Sequence, residues 1–230
     1  MDWKVIFLTE QSLTARTGKK TTKKEVVTAF RTREILSAAR EVLERRGVEA
    51  ATMEEIAAAA GVAKGTLYLY FRGKEDLIHA LMSEVGEKML RELRAIVEAP
   101  QSPRGKLTQV LALLLNYLER ERILFPVYMR DLTQWMLQGG RRSFRRILEL
   151  EEQVLSQISL LFAEGAAQGE FISADPRLLT FLLRGMVRAL GYYRMVEGHR
   201  VDMRQALSVL SVVVVSGFTT KADSAPEGQS

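Results

Sequence analysis

From about Thr28 almost to the end of the chain, apolar residues recur at intervals of three and four, a pattern that predicts helix after helix. The first predicted helix covers residues 29–46. Its apolar stripe is Phe30, Ile35, Ala38, Ala39, Val42 and Leu43, and Gly47 stands just past the end, where a left-handed residue commonly closes a helix. Thr52-Met53-Glu54-Glu55 is an S/T-x-x-E capping box that predicts a short helix through Ala60. Gly61-Val62-Ala63 interrupts it, and residues 64–71 form a third short helix. Arg72-Gly73-Lys74 ends that unit, and a long helix is predicted from Glu75 to about Ala99.

Pro-Gln-Ser-Pro-Arg-Gly at residues 100–105 is the clearest linker signal in the chain. Beyond it the pattern predicts helices over 106–120, a Pro126-marked segment to Leu137, 141–168, 175–197 and 202–218. Asp175-Pro176 is a strong start signal, an Asp N-cap with proline at the first helical position. Val212-Val213-Val214-Val215 would read as strand on propensity alone. Helix is expected there because the body offers no partner strand. The predicted fold class is all-α, with an N-terminal three-helix domain joined by a long helix to a larger C-terminal helical domain. The expected divisions are a flexible basic arm at 1–28, the first domain at 29–82, the second at 83–220 and a disordered tail at 221–230.

Composition removes several alternatives. The chain has 230 residues and no cysteine, which excludes disulfides, thiolate metal sites and a cysteine nucleophile, and makes a reducing cytoplasm the expected location. The longest apolar stretches, Val110 to Leu115 and Val212 to Val215, fall far short of the roughly 20 residues a bilayer requires. The four-residue apolar run at Val5 to Leu8 is not expected to act as a signal peptide. A soluble protein with no membrane partner is therefore expected.

The net charge of +5 is concentrated at one end. Residues 1–73 hold 13 Lys or Arg against 9 Asp or Glu, whereas the remainder is nearly balanced at 20 against 19. From Arg16 to Arg33, seven basic residues face only Glu25. A basic head on a nearly neutral body suits a polyanion partner, although a solvated basic tail has the same charge.

Two short helices joined by a glycine-containing turn constitute a helix-turn-helix, whose second helix enters the DNA major groove. Here the motif spans residues 52–71. Ile56, Ala57, Val62, Leu67 and Phe71 are of the size needed to lock the short helices onto the first one. Thr52, Lys64, Gly65, Thr66, Tyr68, Tyr70 and Lys74 remain outward, a set suited to phosphate oxygens and groove edges. Thr52 serves equally well as a cap, and Tyr70 as a packing aromatic.

With Thr32-Arg33-Glu34-Ile35-Leu36, Ala38-Ala39, Gly47 and Lys74-Glu75-Asp76-Leu77 around that motif, residues 29–85 resemble the TetR family of bacterial transcriptional regulators. The resemblance implies DNA contacts from Arg33, Thr52, Lys64, Gly65, Thr66, Tyr68 and Tyr70, with Lys74 as a phosphate anchor. Many members carry a hydroxyl residue where this chain has Ala63, which removes one cap and one phosphate hydrogen bond. It further implies a homodimeric repressor that binds a double-stranded palindromic operator and is released by a small-molecule effector bound in the second domain.

Candidate effector contacts are the aromatics and methionines of the middle helices: Tyr117, Phe125, Tyr128, Trp135, Met136, Phe144, Phe162 and Met186. Such a set would suit a largely apolar ligand, or would simply fill a helical core. Pro126 is a candidate kink in the helix lining that cavity. Arg184 and Arg188 share a helix face and could hold an acidic group or form ion pairs. The last two helices are the dimer candidates, through Phe181, Leu182, Gly185, Gly191, Ser208, Ser211, Val212 and Val215.

An enzyme fits poorly. A di-iron bundle needs paired Glu-x-x-His motifs, but the two histidines, His79 and His199, follow Asp76 and Val196 at that spacing. G-x-S-x-G and Walker A sequences do not occur. No cofactor, metal or catalysis is expected. The alternative is a helical protein-interaction adaptor with a vestigial helix-turn-helix.

Overall fold

The computed structural model describes residues 23–139, 142–198 and 202–219. The first 22 residues, the end of the chain from 220 and His199 lie outside the described residues, and with them most of the expected arm and the expected tail. Among the described residues there are nine helices: α1 (Lys23–Arg46), α2 (Met53–Ala59), α3 (Lys64–Tyr70), α4 (Lys74–Glu98), α5 (Pro103–Arg120), α6 (Leu124–Gln138), α7 (Arg142–Ala167), α8 (Pro176–Glu197) and α9 (Met203–Phe218). The one extended pairing among them is an isolated antiparallel bridge between Phe171 and Thr219. The fold is all-α.

Helix α1 starts six residues before the expected position, because nothing between Lys23 and Thr28 breaks a helix. Phe30 is not part of the buried stripe and is 61% exposed. It lies five residues before Ile35, about 140° around the helix, so it points away from the face that Ile35, Ala39 and Val42 bury.

The chain divides into two compact units. The first contains the described residues through Val85 together with Val127–Ile147; the second contains Gly86–Pro126 and the residues from Leu148 onward. The return of residues 127–147 to the first unit was not expected from the sequence, which placed them in the second domain. No local signal distinguishes a helix that packs against α4 from one that packs elsewhere.

In the first unit, Ile35, Val42 and Leu43 of α1 pack with Ile56 of α2, Leu67 of α3 and Phe71, all nearly or fully buried. Each such side chain contributes about 1.5–3 kcal/mol of apolar burial. That burial is what holds α2 and α3, at seven residues each, since helices this short are not stable alone.

In the second unit the expected linker at 100–105 is half helix, since residues 100–102 lie outside α5, which begins at Pro103. The Ser102 hydroxyl accepts from the Gly105 amide at 3.2 Å and Pro103 occupies the first helical position, so the Pro-rich stretch starts α5. Pro126 does not kink α6. It sits in the first turn, where its missing N–H would have had no intrahelical partner. The four-valine run is helical, because Leu210, Val214 and Phe218 recur every four residues and are buried. Phe162 is the centre of this core, edge-on to Phe171 and Phe218 with ring centroids 5.6 and 5.4 Å away.

Candidate nucleic-acid interface

Helices α2 and α3 are set by local chemistry. Thr52 has extended backbone angles; its hydroxyl accepts from the Glu55 amide at 3.2 Å, and the Glu55 carboxylate accepts from the Thr52 amide at 3.0 Å. That backbone hydrogen bond holds the Glu55 carboxyl below its ordinary value. Gly61 supplies the turn with φ +64°, a conformation that side-chain-bearing residues seldom adopt. Ala63 stands at the N-cap of α3 with no side-chain cap bond, as the alanine there implies.

On α3, Leu67 is fully buried and Phe71 follows as the second anchor. Lys64, Gly65 and Tyr68 are exposed, Thr66 and Tyr70 half-buried. A methyl group built on Gly65 would meet nothing within 4 Å. Leu69, which the sequence reading left out, is 70% exposed. Arg33 is exposed on α1. Lys64 forms an ion pair with Glu54 of α2; the hydrogen bond between them lowers the Glu54 carboxyl and raises the Lys64 ammonium.

Lys74 departs from the expected phosphate anchor. Its ammonium donates to the carbonyl oxygens of Val48 (2.9 Å), Glu49 (2.9 Å) and Ala51 (3.0 Å). A lysine has three N–H donors, and all three are committed to the loop between α1 and α2. The sequence could not show this, because the carbonyls lie more than twenty residues upstream.

His79 is buried between two helices of the same unit. Its Nε2 is 2.8 Å from Asp131 Oδ2 and its Nδ1 is 2.7 Å from Ser143 Oγ. A carboxylate only accepts, so Nε2–H donates. Asp131 also accepts from Arg130 Nε at 2.8 Å, a bond that raises the guanidinium's pKa, and Arg130 Nη1 lies 3.9 Å from Glu49 Oε1.

The candidate effector residues divide between the units. Tyr128, Trp135, Met136 and Phe144 belong to the first. Phe144 is core there, its ring 5.5 Å from that of His79 and 6.3 Å from that of Tyr128. Trp135 and Met136 are exposed near the end of α6. In the second unit Phe162 is core, Phe125 packs on Gly191, and Met186 lies half-buried against the core. Tyr117 is buried and its hydroxyl has no partner in bonding geometry. Burial, and then the nearby Glu92 carboxylate, push its pKa well up. Arg184 and Arg188 both reach Glu151 Oε1, at 2.5 and 2.6 Å, so they are ion-paired.

Of the candidate dimer residues, Phe181, Leu182, Gly185, Ser208 and Val212 are exposed, whereas Ser211 and Val215 are half-buried. Gly191 is instead an internal close approach: a methyl there would lie 2.6 Å from Phe125 Cε1 and 2.9 Å from Leu118 Cδ1. Leu178, Tyr192, Tyr193 and Val196 on α8, with Val209 and Val213 on α9, are exposed apolar residues that the sequence reading missed. Leu178 stands three and four residues before Phe181 and Leu182, and Val209 three before Val212, which was the available signal for those two.

Two family models match the chain. Residues 35–81 match bacterial regulatory proteins of the tetR family, and residues 100–192 match the tetracyclin repressor-like C-terminal domain. The HTH-type transcriptional regulator YfiR of Bacillus subtilis is 30% identical over 145 residues, 62% of this chain and 69% of that protein. This chain belongs to the TetR family. Among other TetR-type relatives, the fatty acid metabolism regulator protein of Bacillus subtilis is 25% identical over 189 residues, 82% of this chain and 95% of that protein. The structure of the regulator FadR from Bacillus subtilis in complex with stearoyl-CoA shares the fold, with a TM-score of 0.63 and 24% identity over 80% of this chain and 98% of that one. As a TetR-family transcription regulator, the chain carries a DNA-binding helix-turn-helix in α2 and α3. No described helix is long and apolar enough to cross a membrane.

Proposed function

We propose that this protein is a homodimeric repressor that binds a palindromic operator and leaves it when a largely apolar effector binds the second unit. The observation that carries the reading is the exposed face of α3, where Lys64, Gly65 and Tyr68 stand outward beside the half-buried Thr66 on a helix pinned from behind by Leu67 and Phe71. Donors, a bare backbone turn and a phenol are groups that phosphates and base edges accept. Thr52, Tyr70 and Arg33 flank that face as backbone contacts. Lys74 is left out of it, since its protons are committed to the chain.

A second copy of the chain is the partner assigned to the apolar stripe on α8 and α9. Phe181 (45% exposed), Val212 (62%) and Tyr192 (62%) belong to a surface that a lone protein would leave in water. Two heads about 34–36 Å apart, or a multiple of that, would then read a two-fold site.

For the effector, Tyr117, Phe125 and Met186 of the second unit are retained, with the partnerless Tyr117 hydroxyl as the polar anchor. A long-chain fatty acyl thioester of coenzyme A is the class to test first, because one relative is named for fatty-acid metabolism and one related structure holds stearoyl-CoA.

Selection of genomic fragments on the purified protein, with titration of the enriched site at two salt concentrations, tests the reading. A palindrome bound with steep salt dependence and released by micromolar stearoyl-CoA is the expected result. Salt-sensitive binding with no enriched sequence would instead favour the adaptor alternative. A monomeric wild-type protein in sedimentation would remove the dimer, and Val212→Glu is expected to produce such a monomer.

A further inference from the structure

We infer that Leu69 reads a methyl group on the operator, that of a thymine, in the major groove. The inference rests on the DNA-reading face of α3 proposed above and adds a base-specific contact to it. Helix α3 has seven residues, and its inward positions are occupied: Leu67 is fully buried and Tyr70 half-buried. Leu69 is 70% exposed, more than Tyr68 beside it at 44%.

A single exposed leucine on a protein surface is ordinary. What sets Leu69 apart is its position. It stands four residues after Gly65, on the same helical face, and side chains on a helix lean toward the preceding turn. Four residues back that turn has no side chain, Thr66 standing to one side, and the space above Gly65 is open to 4 Å. Leu69 therefore projects over bare backbone, and the close approach that Gly65 permits brings the leucine to whatever meets that backbone.

The chemistry then selects the base. Each base pair shows a distinct pattern in the major groove, and among the four bases only thymine presents an apolar group there, its C5 methyl. Leucine against the amine or carbonyl edge of another base would remove a polar group from water with no hydrogen bond in return. Contact with a methyl has no such penalty. Leu69 thus favours thymine twice, by apolar contact and by rejecting the alternatives. A 5-methylcytosine offers the same methyl group and is separated from thymine by experiment.

Single thymines of the selected operator are replaced by deoxyuridine, which deletes only the methyl group. Wild-type binding is expected to weaken about fourfold per half-site at one symmetry-related position, the effect of one apolar carbon. Leu69→Ala is expected to bind the thymine and uracil operators equally at that position, while its thermal midpoint matches the wild type. A cytosine operator methylated at the same position recovers affinity only if the methyl alone is read; no recovery assigns the preference to thymine. Wild-type affinity indifferent to every single uracil, or an unchanged methyl dependence in Leu69→Ala, would overturn the Leu69 assignment and leave the operator reading standing. Failure to enrich any sequence would overturn both.

Discussion

His79 Nε2 lies 2.8 Å from Asp131 Oδ2, joining α4 to α6 inside the first unit, and its Nδ1 lies 2.7 Å from Ser143 Oγ of α7. The imidazole is 3% exposed, so its hydrogen bonds have no water to replace them. Asp131→Ala is expected to lower unfolding stability by about 1–3 kcal/mol, the cost of leaving a buried donor without an acceptor. Urea denaturation measures it, and a loss within experimental error would show that water reaches the ring.

Lys74 gives a prediction that separates two roles. If it holds the loop at Val48, Glu49 and Ala51, then Lys74→Ala lowers the melting temperature and leaves the salt slope of DNA binding unchanged. A direct phosphate contact would instead lower that slope by about one with no change in melting.

Gly191 and Gly185 occupy the same helix and should respond oppositely. Gly191→Ala drives a methyl against Phe125 and Leu118, with an expected cost of about 1–3 kcal/mol. Gly185→Ala meets nothing within 4 Å in its own chain. Its effect is expected in the dimer dissociation constant, which sedimentation at several concentrations reads.

The capping box at the start of α2 carries a pH dependence. The Glu55 carboxyl is depressed by its bond from the Thr52 amide, so its contribution to folding is present above the ordinary value of 4.5 and is lost as pH falls through the lower folded value. The Thr52 amide resonance is expected to titrate with a midpoint below 4.5. In Glu55→Gln that titration disappears while the cap geometry persists. Thr52→Ala is expected to cost about 1 kcal/mol of stability at neutral pH.

Much of the helix-turn-helix was legible because its determinants are close in sequence. Thr52 and Glu55 are three residues apart, Gly61 needs only its own backbone conformation, and Leu67 and Phe71 recur at one helical turn. The same applies to the starts of α8 and α9, where Asp175 and Asp202 accept from amides two or three residues on. At the proline-rich stretch 100–105 the sequence placed the helix start three residues late, at Lys106 and not Pro103, because linkers and N-caps share their vocabulary. Ser102 followed by Pro103 fits both, and the hydrogen bond to the Gly105 amide distinguishes them.

The sequence by itself determined the all-α class, the position of the DNA-binding motif and the family, since helical periodicity and capping act over three or four residues. Tertiary structure alone decided that Lys74 clamps a loop, that Gly191 seats Phe125 and that residues 127–147 join the first unit. Each depends on groups far apart in the chain, and a lysine, a glycine or an amphipathic helix looks the same in sequence whichever distant surface it meets.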